Sequence, residues 1–170
     1  MPNEPIPVRV KAVLPAANGA AVFLGDKERT FVIHMDIAAA KSLQMTISGE
    51  KKERPLTHDL FASLLDGLGA DIAHVLINRV ENGVFFARVV VRMENELGQK
   101  WVELDARPSD ALPLAIKRRR PILVSQSVLD GTEDATELLE HLRHAAGKDE
   151  EDNGSGDADD AGSTPDPSGK

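Results

Sequence analysis

The dipeptide Asn82-Gly83, set between two apolar runs, constrains this fold more than any other feature of the chain. Run 84–92 alternates apolar residues with Arg88 and Arg92, which is the period of a half-buried strand, and run 72–80 precedes it. Asn-Gly tolerates the positive φ angles of a two-residue hairpin turn. Strands joined by so short a turn must pair antiparallel, because a parallel pair needs a long crossover connection.

Further apolar runs extend this hairpin into a repeated order of elements. Runs 8–14, 21–24 and 30–35 predict three strands, and 72–80, 84–92 and 101–105 predict three more. Helices are predicted after each set, with starts at Asp36, Thr57, Ser109 and Thr132. These elements predict an α+β fold of two β3α2 repeats, which form a single barrel-like mixed or antiparallel sheet with flanking helices.

Charge divides the chain into a nearly neutral body and an acidic tail. The formal net charge is −8, and residues 147–170 hold eight acidic residues against two lysines. That segment has no large apolar residue, so it cannot bury enough surface to offset its ordering entropy. We predict one domain over residues 1–146 and a disordered acidic tail over 147–170. The neutral body lacks the basic composition of a high-affinity nucleic-acid binder.

The absence of cysteine excludes disulfides, thiolate metal sites and cysteine nucleophiles. Residues 1–9 carry three prolines and no apolar core of a signal peptide, and no apolar run approaches the roughly 20 residues that span a bilayer. We expect a cytoplasmic protein that does not contact a membrane. Because a small domain with short helices leaves apolar surface to cover, we also expect a homodimer or a higher homo-oligomer.

Two short segments, 54–59 and 105–110, place an arginine and a proline ahead of a hydroxyl and a carboxylate at a predicted helix start. A helix N-terminus attracts anions, and an arginine beside it adds a planar fork that suits phosphate. Clustered aspartates can hold a divalent cation. The candidate catalytic residues are His58, Asp59, Asp105 and Asp110, and the three aspartates are also the candidate metal ligands. The candidate phosphate-binding residues are Arg54, Arg107, Ser109, Lys117 and Arg118.

Each of these residues also has a structural interpretation. Asp105, Arg107 and Asp110 could form an ion-pair clasp that closes a strand–helix corner, which the residue pattern alone favours. Thr57 and Ser109 suit helix caps. The basic run 117–120 falls at a helix C-terminus, where cations stabilise the helix dipole.

The stretch 54–130 resembles the bifunctional nuclease domain family, with weaker similarity back to about Val8. The resemblance is carried by the hairpin 83–87, by Pro121-Ile122 and by two blocks, Arg54-Pro55-Leu56-Thr57-His58-Asp59-Leu60 and Asp105-Ala106-Arg107-Pro108-Ser109-Asp110-Ala111. It implies two β3α2 repeats around one barrel-like sheet and an activity that cleaves DNA and RNA. It places seven residues at the family's signature positions: Arg54, His58, Asp59, Asp105, Arg107, Ser109 and Asp110.

The chain departs from the family pattern at two places. Ala39-Ala40 occupy the position of a Glu-Ala pair in the first helix, so a glutamate ligand or base would be missing. Pro113 stands where family members carry a small residue. Because proline is tolerated only in the first turn of a helix, it predicts a helix that starts late, at Asp110.

Two functions follow from these observations. In the first, the protein is a metal-assisted nuclease of low sequence specificity, in which magnesium or manganese is bound by Asp59, Asp105 and Asp110 and His58 activates water. Arg54 and Arg107 would then bind the scissile phosphate of DNA or RNA. In the second, the protein is a non-catalytic module that binds an anion or a protein, and the two segments are structural clasps.

Overall fold

The computed structural model describes residues 4–51, 53–96 and 98–152. The strands are β1 (Ile6–Ala16), β2 (Gly19–Gly25), β3 (Thr30–Met35), β4 (Ala70–Glu81), β5 (Val84–Asn95), β6 (Gly98–Ala106) and β7 (Ile122–Val124). The helices are α1 (Ile37–Ser48), α2 (Thr57–Gly67), α3 (Pro108–Lys117), α4 (Gln126–Asp130) and α5 (Thr136–Asp152). Each set of three strands is thus followed by helices, as the two predicted repeats require.

The strands form one seven-stranded sheet with the order β3-β2-β1-β7-β4-β5-β6. Each half is an antiparallel meander, and the short strand β7 joins the halves by pairing antiparallel with β1 and parallel with β4. The predicted α+β class and the single mixed sheet are confirmed. The strand order is open, because β3 and β6 stand at its two ends and do not pair to close a barrel.

Local sequence accounts for the turns and helix ends that set this topology. Asn82 and Gly83 take φ angles of 49° and 78°, as a type I′ turn between β4 and β5 demands. In the β2–β3 turn, the Asp26 carboxylate accepts from the backbone N–H of Glu28 at 2.8 Å and of Arg29 at 2.9 Å. The predicted Asp36 cap of α1 is also confirmed, because its carboxylate accepts from the Ala39 N–H at 2.8 Å.

The core lies between one face of the sheet and the helices. Strand residues such as Val22, Ile77 and Val89 share one buried cluster with side chains from α1, α2 and α3. Strand β2 is buried on both faces, which explains its continuous apolar run. Arg88 and Arg92 alternate with the inward residues of β5 and are exposed on the opposite face. All three helices therefore lie on the same face of the sheet.

Two helices differ from the prediction. In α2, Thr57 is the first helical residue and Leu56 is the cap; Leu60 and Leu64 are exposed, while Ala62 and Leu65 are buried. Helix α3 starts at Pro108, not at Asp110, and keeps Pro113 inside it. Pro108 fits the first helical position, where its missing N–H needs no partner. Pro113 lies in the second turn, where its lack of an N–H leaves the Ser109 carbonyl without its usual helical donor.

The chain divides into two compact units, Met1–Thr136 and Glu137–Lys170. The second unit contains most of α5, which runs through Asp152, past the predicted domain boundary at residue 146. Residues 153–170 of the predicted acidic tail lie outside the described residues. Over the described part, no helix combines the length and apolar composition that crossing a membrane requires.

Candidate functional site

A surface cleft of about 680 Å³ opens where the C-terminal ends of α1 and α3 meet the connection 49–55 and the first turn of α2. Apolar side chains of α1 and α3 line part of it, including Met45, Ile47 and Ile116. Among the described residues, the charged ones that line it are Glu50, Glu53, Arg54, Asp59, Lys117 and Arg119. We refer to it as the α1–α3 cleft. It gathers cations and carboxylates from three separate parts of the chain.

The cleft occupies one end of a pair of parallel helices. Helices α1 and α3 contact each other, and both contribute their C-terminal ends to the cleft. At the other end, Arg107 precedes α3 and Asp36 caps α1, and these two residues are close enough to interact. The pKa of Arg107 is raised above its ordinary value mainly by the hydrogen bond and charge of Asp110, and to a smaller extent by the charge of Asp36. The two helices therefore run in the same direction, with 54–59 near one end of α3 and 107–110 at the other.

Asp59 is held in place by α2 and α3 together. It is the third residue of α2, and its Oδ2 accepts from the Leu56 N–H at 2.7 Å, which satisfies one donor at the helix start. Its Oδ1 accepts a short hydrogen bond from Lys117 Nζ at the end of α3. The Asp59 side chain is only 14% exposed. This carboxylate therefore joins two helices and also borders the cleft.

The basic run after α3 is mostly bound by carboxylates of α2 and β4. Arg118 Nη2 donates to Asp66 Oδ1 at 2.5 Å and to the Ala62 carbonyl at 3.3 Å. Arg118 Nε lies 3.6 Å from Asp71 Oδ1, too far for a hydrogen bond, and Arg120 Nη2 donates to Asp71 Oδ2. Lys117 and Arg118, both predicted to bind phosphate, are therefore engaged in ion pairs.

Arg54 and Arg119 are different, because neither side chain has a hydrogen-bonded or ion-paired partner in the described part of the chain. Arg54 lies in the connection before α2, and Arg119 follows α3 with a φ angle of 52°. The Arg119 N–H donates to the Ile116 carbonyl. Arg119 thus stands at the C-terminal end of α3 in the left-handed conformation, where glycine is the usual residue. That conformation costs a residue other than glycine about 1 kcal/mol. Strained residues of this kind concentrate at functional sites.

The second sequence segment lies at the opposite end of α3. Arg107 Nε donates to Asp110 Oδ2 at 2.9 Å, and Nη2 lies 3.4 Å from Oδ1, which makes a local clasp within one helical turn. Ser109 is half-buried at the second helical position. Lys117 lies seven positions after Asp110 in α3, which is about 10 Å along the helix axis. Arg107, Ser109 and Asp110 do not line the α1–α3 cleft.

Asp105 lies on the other face of the sheet. It pairs in register with Arg88, and side chains alternate between faces along a strand. Val89 and its partner Leu104 belong to the face that carries the helices, so Arg88 and Asp105 belong to the opposite face. Asp105 is exposed there. The sheet itself therefore separates Asp105 from Asp59.

His58 is half-buried beside α1, where its Nδ1 lies 3.4 Å from Ser42 Oγ. It follows Thr57 in the first turn of α2 but does not line the cleft. Ala39, which stands at the family's glutamate position, is partly buried against the core in the first turn of α1. The structure thus places the imidazole between two helices.

The structure brings Arg54, Asp59 and Lys117 together at the cleft and leaves the other predicted site residues elsewhere. Within residues 4–51, 53–96 and 98–152, no three His, Asp or Glu side chains are close enough to hold a metal ion. Glu50 and Glu53 were missed by the sequence analysis, because two glutamates in a polar connection carry no distinctive signal. Arg119 was one member of the basic run, and only the structure separates it from its ion-paired neighbours.

The family model of the bifunctional nuclease domain matches residues 22–137. Two uncharacterized proteins of Mycobacterium tuberculosis, from strains CDC 1551 / Oshkosh and ATCC 25618 / H37Rv, are each 32% identical to the chain over 105 residues. Each match covers 62% of this chain and 58% of the relative's length. The chain thus aligns with little more than half of either relative.

Proposed function

Because the chain belongs to the bifunctional nuclease domain family, whose name supports a nuclease-like role at the family level, we propose that it hydrolyses phosphodiester bonds in DNA and RNA with low sequence specificity. The observation that supports this activity is the presence of Arg54 and Arg119 at the α1–α3 cleft without a carboxylate partner among the described residues. Guanidinium groups bind phosphate oxygens in a bidentate manner and stabilise the charge that develops on them.

The cleft also supplies groups that can move a proton. DNA lacks the 2′-hydroxyl of RNA, so a reaction common to both substrates cannot use that hydroxyl as the nucleophile, and we assign water to this role. We assign Glu50 or Glu53 as the general base that accepts the proton of the attacking water. The water oxygen bonds to phosphorus, and the ester oxygen leaves with a proton from solvent. Arg54 and Arg119 hold the phosphate while this exchange occurs.

The three aspartates predicted to bind a divalent cation, Asp59, Asp105 and Asp110, do not form a donor set for one. Asp59 is bound to Lys117, Asp110 is bound to Arg107, and Asp105 lies on the opposite face of the sheet. The proposed hydrolysis therefore assigns no role to a metal ion. Magnesium or manganese stays a prediction from the sequence pattern, and the cleavage assay is run with each ion and with a chelator.

Arg119→Gly is the most informative variant for the proposed activity. Glycine adopts the left-handed conformation of residue 119 without steric strain, so the variant should melt at the same temperature as the parent or slightly higher. Cleavage of labelled DNA and RNA should nevertheless fall by roughly 10- to 100-fold, because one of two phosphate-binding groups is lost. Arg54→Gln should cause a similar loss.

Matched controls test whether the effect belongs to the cleft. Asn82→Gly changes another residue with a positive φ angle, in the β4–β5 turn, and Arg92→Gln removes an exposed arginine from the opposite face of the sheet. Both variants should cleave like the parent. Equal rates for the parent, Arg54→Gln and Arg119→Gly would show that cleavage comes from a contaminant or from another site.

A second function is supported by the ion pairs that Asp59 and Asp110 form within the protein. Asp59 bonds Lys117 and Asp110 bonds Arg107, so each is accounted for by structure alone. In this alternative the cleft binds an anion through Arg54 and Arg119 without hydrolysing it. Glu50→Gln and Glu53→Gln separate the two functions, because in an enzyme one of them should abolish turnover, whereas in a binding module neither should weaken anion binding. Glu28→Gln, in the exposed β2–β3 turn, serves as their control.

The cytoplasmic location and the homo-oligomer remain predictions from the sequence. Leu60 and Leu64 of α2 and Leu68, which follows it, are exposed apolar surface of the kind on which the oligomer prediction was based. Light scattering of the purified protein measures its mass in solution directly.

A further inference from the structure

The solvent-facing side of α2 is formed by uncharged residues. Leu60, Ser63, Leu64 and Gly67 fall within about 100° of arc around the helix axis, and all four are exposed. Leu60 is 67% exposed and Leu64 is 54% exposed, and Leu68, which caps the helix, is 57% exposed. We refer to these five residues as the α2 face. A surface helix usually turns charged residues outward, so this composition is unusual for a side that meets solvent.

Both carboxylates of α2 are turned towards the end of α3 instead. Asp59 is bound to Lys117, and Asp66 is bound to Arg118, which caps α3. On the side that packs against the core, Leu65 is buried. Helix α2 is therefore apolar both towards the core and towards solvent, a pattern typical of helices that are buried all round. Exposed apolar patches of this kind mark surfaces of association.

The order of side-chain sizes along the α2 face favours a second copy of this chain as its partner. From the N-terminal end the face reads large, small, large, small, over Leu60, Ser63, Leu64 and Gly67. In an antiparallel copy this order is reversed, so each leucine stands opposite a small residue. A parallel copy in register would set leucine against leucine and leave gaps between the small residues. A Cβ atom built at Gly67 meets no other atom within 4 Å, so the space above it is open.

We propose that two copies of this chain form a symmetric dimer in which their α2 faces pack antiparallel. Leu60 of each copy lies over Gly67 of the other, and Leu64 lies over Ser63, so that the side chains of both helices interdigitate. Because these residues are uncharged, identical copies meet without like-charge repulsion, and the antiparallel order opposes the two helix dipoles favourably. Two-fold symmetry buries both faces in one interface. This inference does not depend on the proposed nuclease activity.

Sedimentation equilibrium of the full-length protein tests the proposal. The parent should have twice the 18.4 kDa mass of one chain. Leu60→Glu and Leu64→Glu should each weaken association by at least about 100-fold, because each places two carboxylates in an apolar interface. Ile37→Glu is the matched control, since it puts the same charge in place of an apolar residue of α1 that is 69% exposed. It should associate like the parent, and melting curves check that every variant folds.

Gly67→Leu separates the proposed packing from non-specific apolar adhesion. The open space at residue 67 lets a leucine side chain fit on the single chain. In the antiparallel packing the new side chain takes the place of Leu60 from the other copy, so association should weaken by about tenfold. General adhesion would instead become stronger, because the variant adds apolar surface. Tighter association of Gly67→Leu than of the parent would therefore overturn the proposed packing.

The absence of cysteine allows a direct test of which surfaces meet. Ser63→Cys lies next to the proposed two-fold axis, so mild oxidation should link the two copies through a disulfide. Val84→Cys, at the exposed first residue of β5, should run as a single chain on a denaturing gel without reductant. Three results overturn the proposal: a parent that is monomeric up to about 0.1 mM, a dimer that both glutamate variants leave intact, or equal cross-linking of the two cysteine variants.

Discussion

Asp59 and Asp110 occupy the same position in two helices, the third residue of α2 and of α3, but they have different surroundings. The side chain of Asp59 is 14% exposed and is bonded to the backbone of its own helix and to Lys117 of another helix. The side chain of Asp110 is 47% exposed, and its arginine partner is one residue outside the same helix. The same residue type at the same helical position therefore joins two elements in one case and braces a single turn in the other.

Asparagine substitutions should reveal this difference in thermal melts. Asp59→Asn removes the charge that binds Lys117 and weakens the bond to the Leu56 N–H, so we expect a loss of about 1–2 kcal/mol, which is several degrees in Tm. Asp110→Asn breaks an exposed pair, and we expect Tm to change by no more than about 3 °C. A large fall in Tm for Asp110→Asn with a small one for Asp59→Asn would contradict the described contacts.

At the scale of elements, the β2–β3 hairpin shows how one side chain fixes a turn. The Asp26 carboxylate accepts from the backbone N–H groups of Arg29 and Glu28, and these bonds hold its pKa below the ordinary value. The turn connects two strands whose residues, such as Val22 and Phe31, belong to the core. The charge of the Asp26 carboxylate thus stabilises a turn that connects two strands of the core.

This lowered pKa predicts how the hairpin contributes to stability at different pH values. A carboxylate with a folded pKa below the unfolded pKa stabilises the fold above the unfolded value, about 3.9, and this stabilisation is lost as pH falls through the folded pKa. An asparagine side chain cannot titrate, so between about pH 6 and pH 3 the Tm should fall less in Asp26→Asn than in the parent. Glu28→Gln, which leaves the two turn bonds in place, is the control. Parallel pH profiles for the parent and Asp26→Asn would refute the assignment.

For the whole molecule, the distribution of charge matters more than its sum. The net charge of −8 is concentrated in residues 147–170, whereas Arg54 and Arg119 line the α1–α3 cleft on the first unit. Binding of a polyanion to an acidic protein then depends on a local field, which dissolved salt screens within about 10 Å at moderate ionic strength. Affinity should therefore be strongly dependent on salt.

The salt dependence of oligothymidine binding gives a count of phosphate contacts. If Arg54 and Arg119 each neutralise one phosphate of a single strand, the logarithm of the association constant should fall against the logarithm of salt concentration with a slope of about −1.4. Arg54→Gln should reduce that slope by about 0.7. A slope near zero would mean that strand binding does not depend on these cations.

The sequence by itself determined the elements and their class, because turns and helix caps are decided by neighbouring residues. Asn82-Gly83 sets its own φ angles, Asp36 caps α1 through a bond three residues away, and the two meanders follow from such local choices. The resemblance carried by the two blocks likewise identified the family. These features need no knowledge of the rest of the chain.

Only the tertiary structure decided which charged residues meet. Segments 54–59 and 105–110 look alike in sequence, but α3 separates Asp59 from Asp110, and the sheet separates Asp59 from Asp105. The cleft is lined instead by Glu50, Glu53, Arg54 and Arg119. These residues belong to two connections that are adjacent only because α1 and α3 run side by side. Ion pairing depends on distance through space, and packing of the core, not sequence spacing, sets that distance.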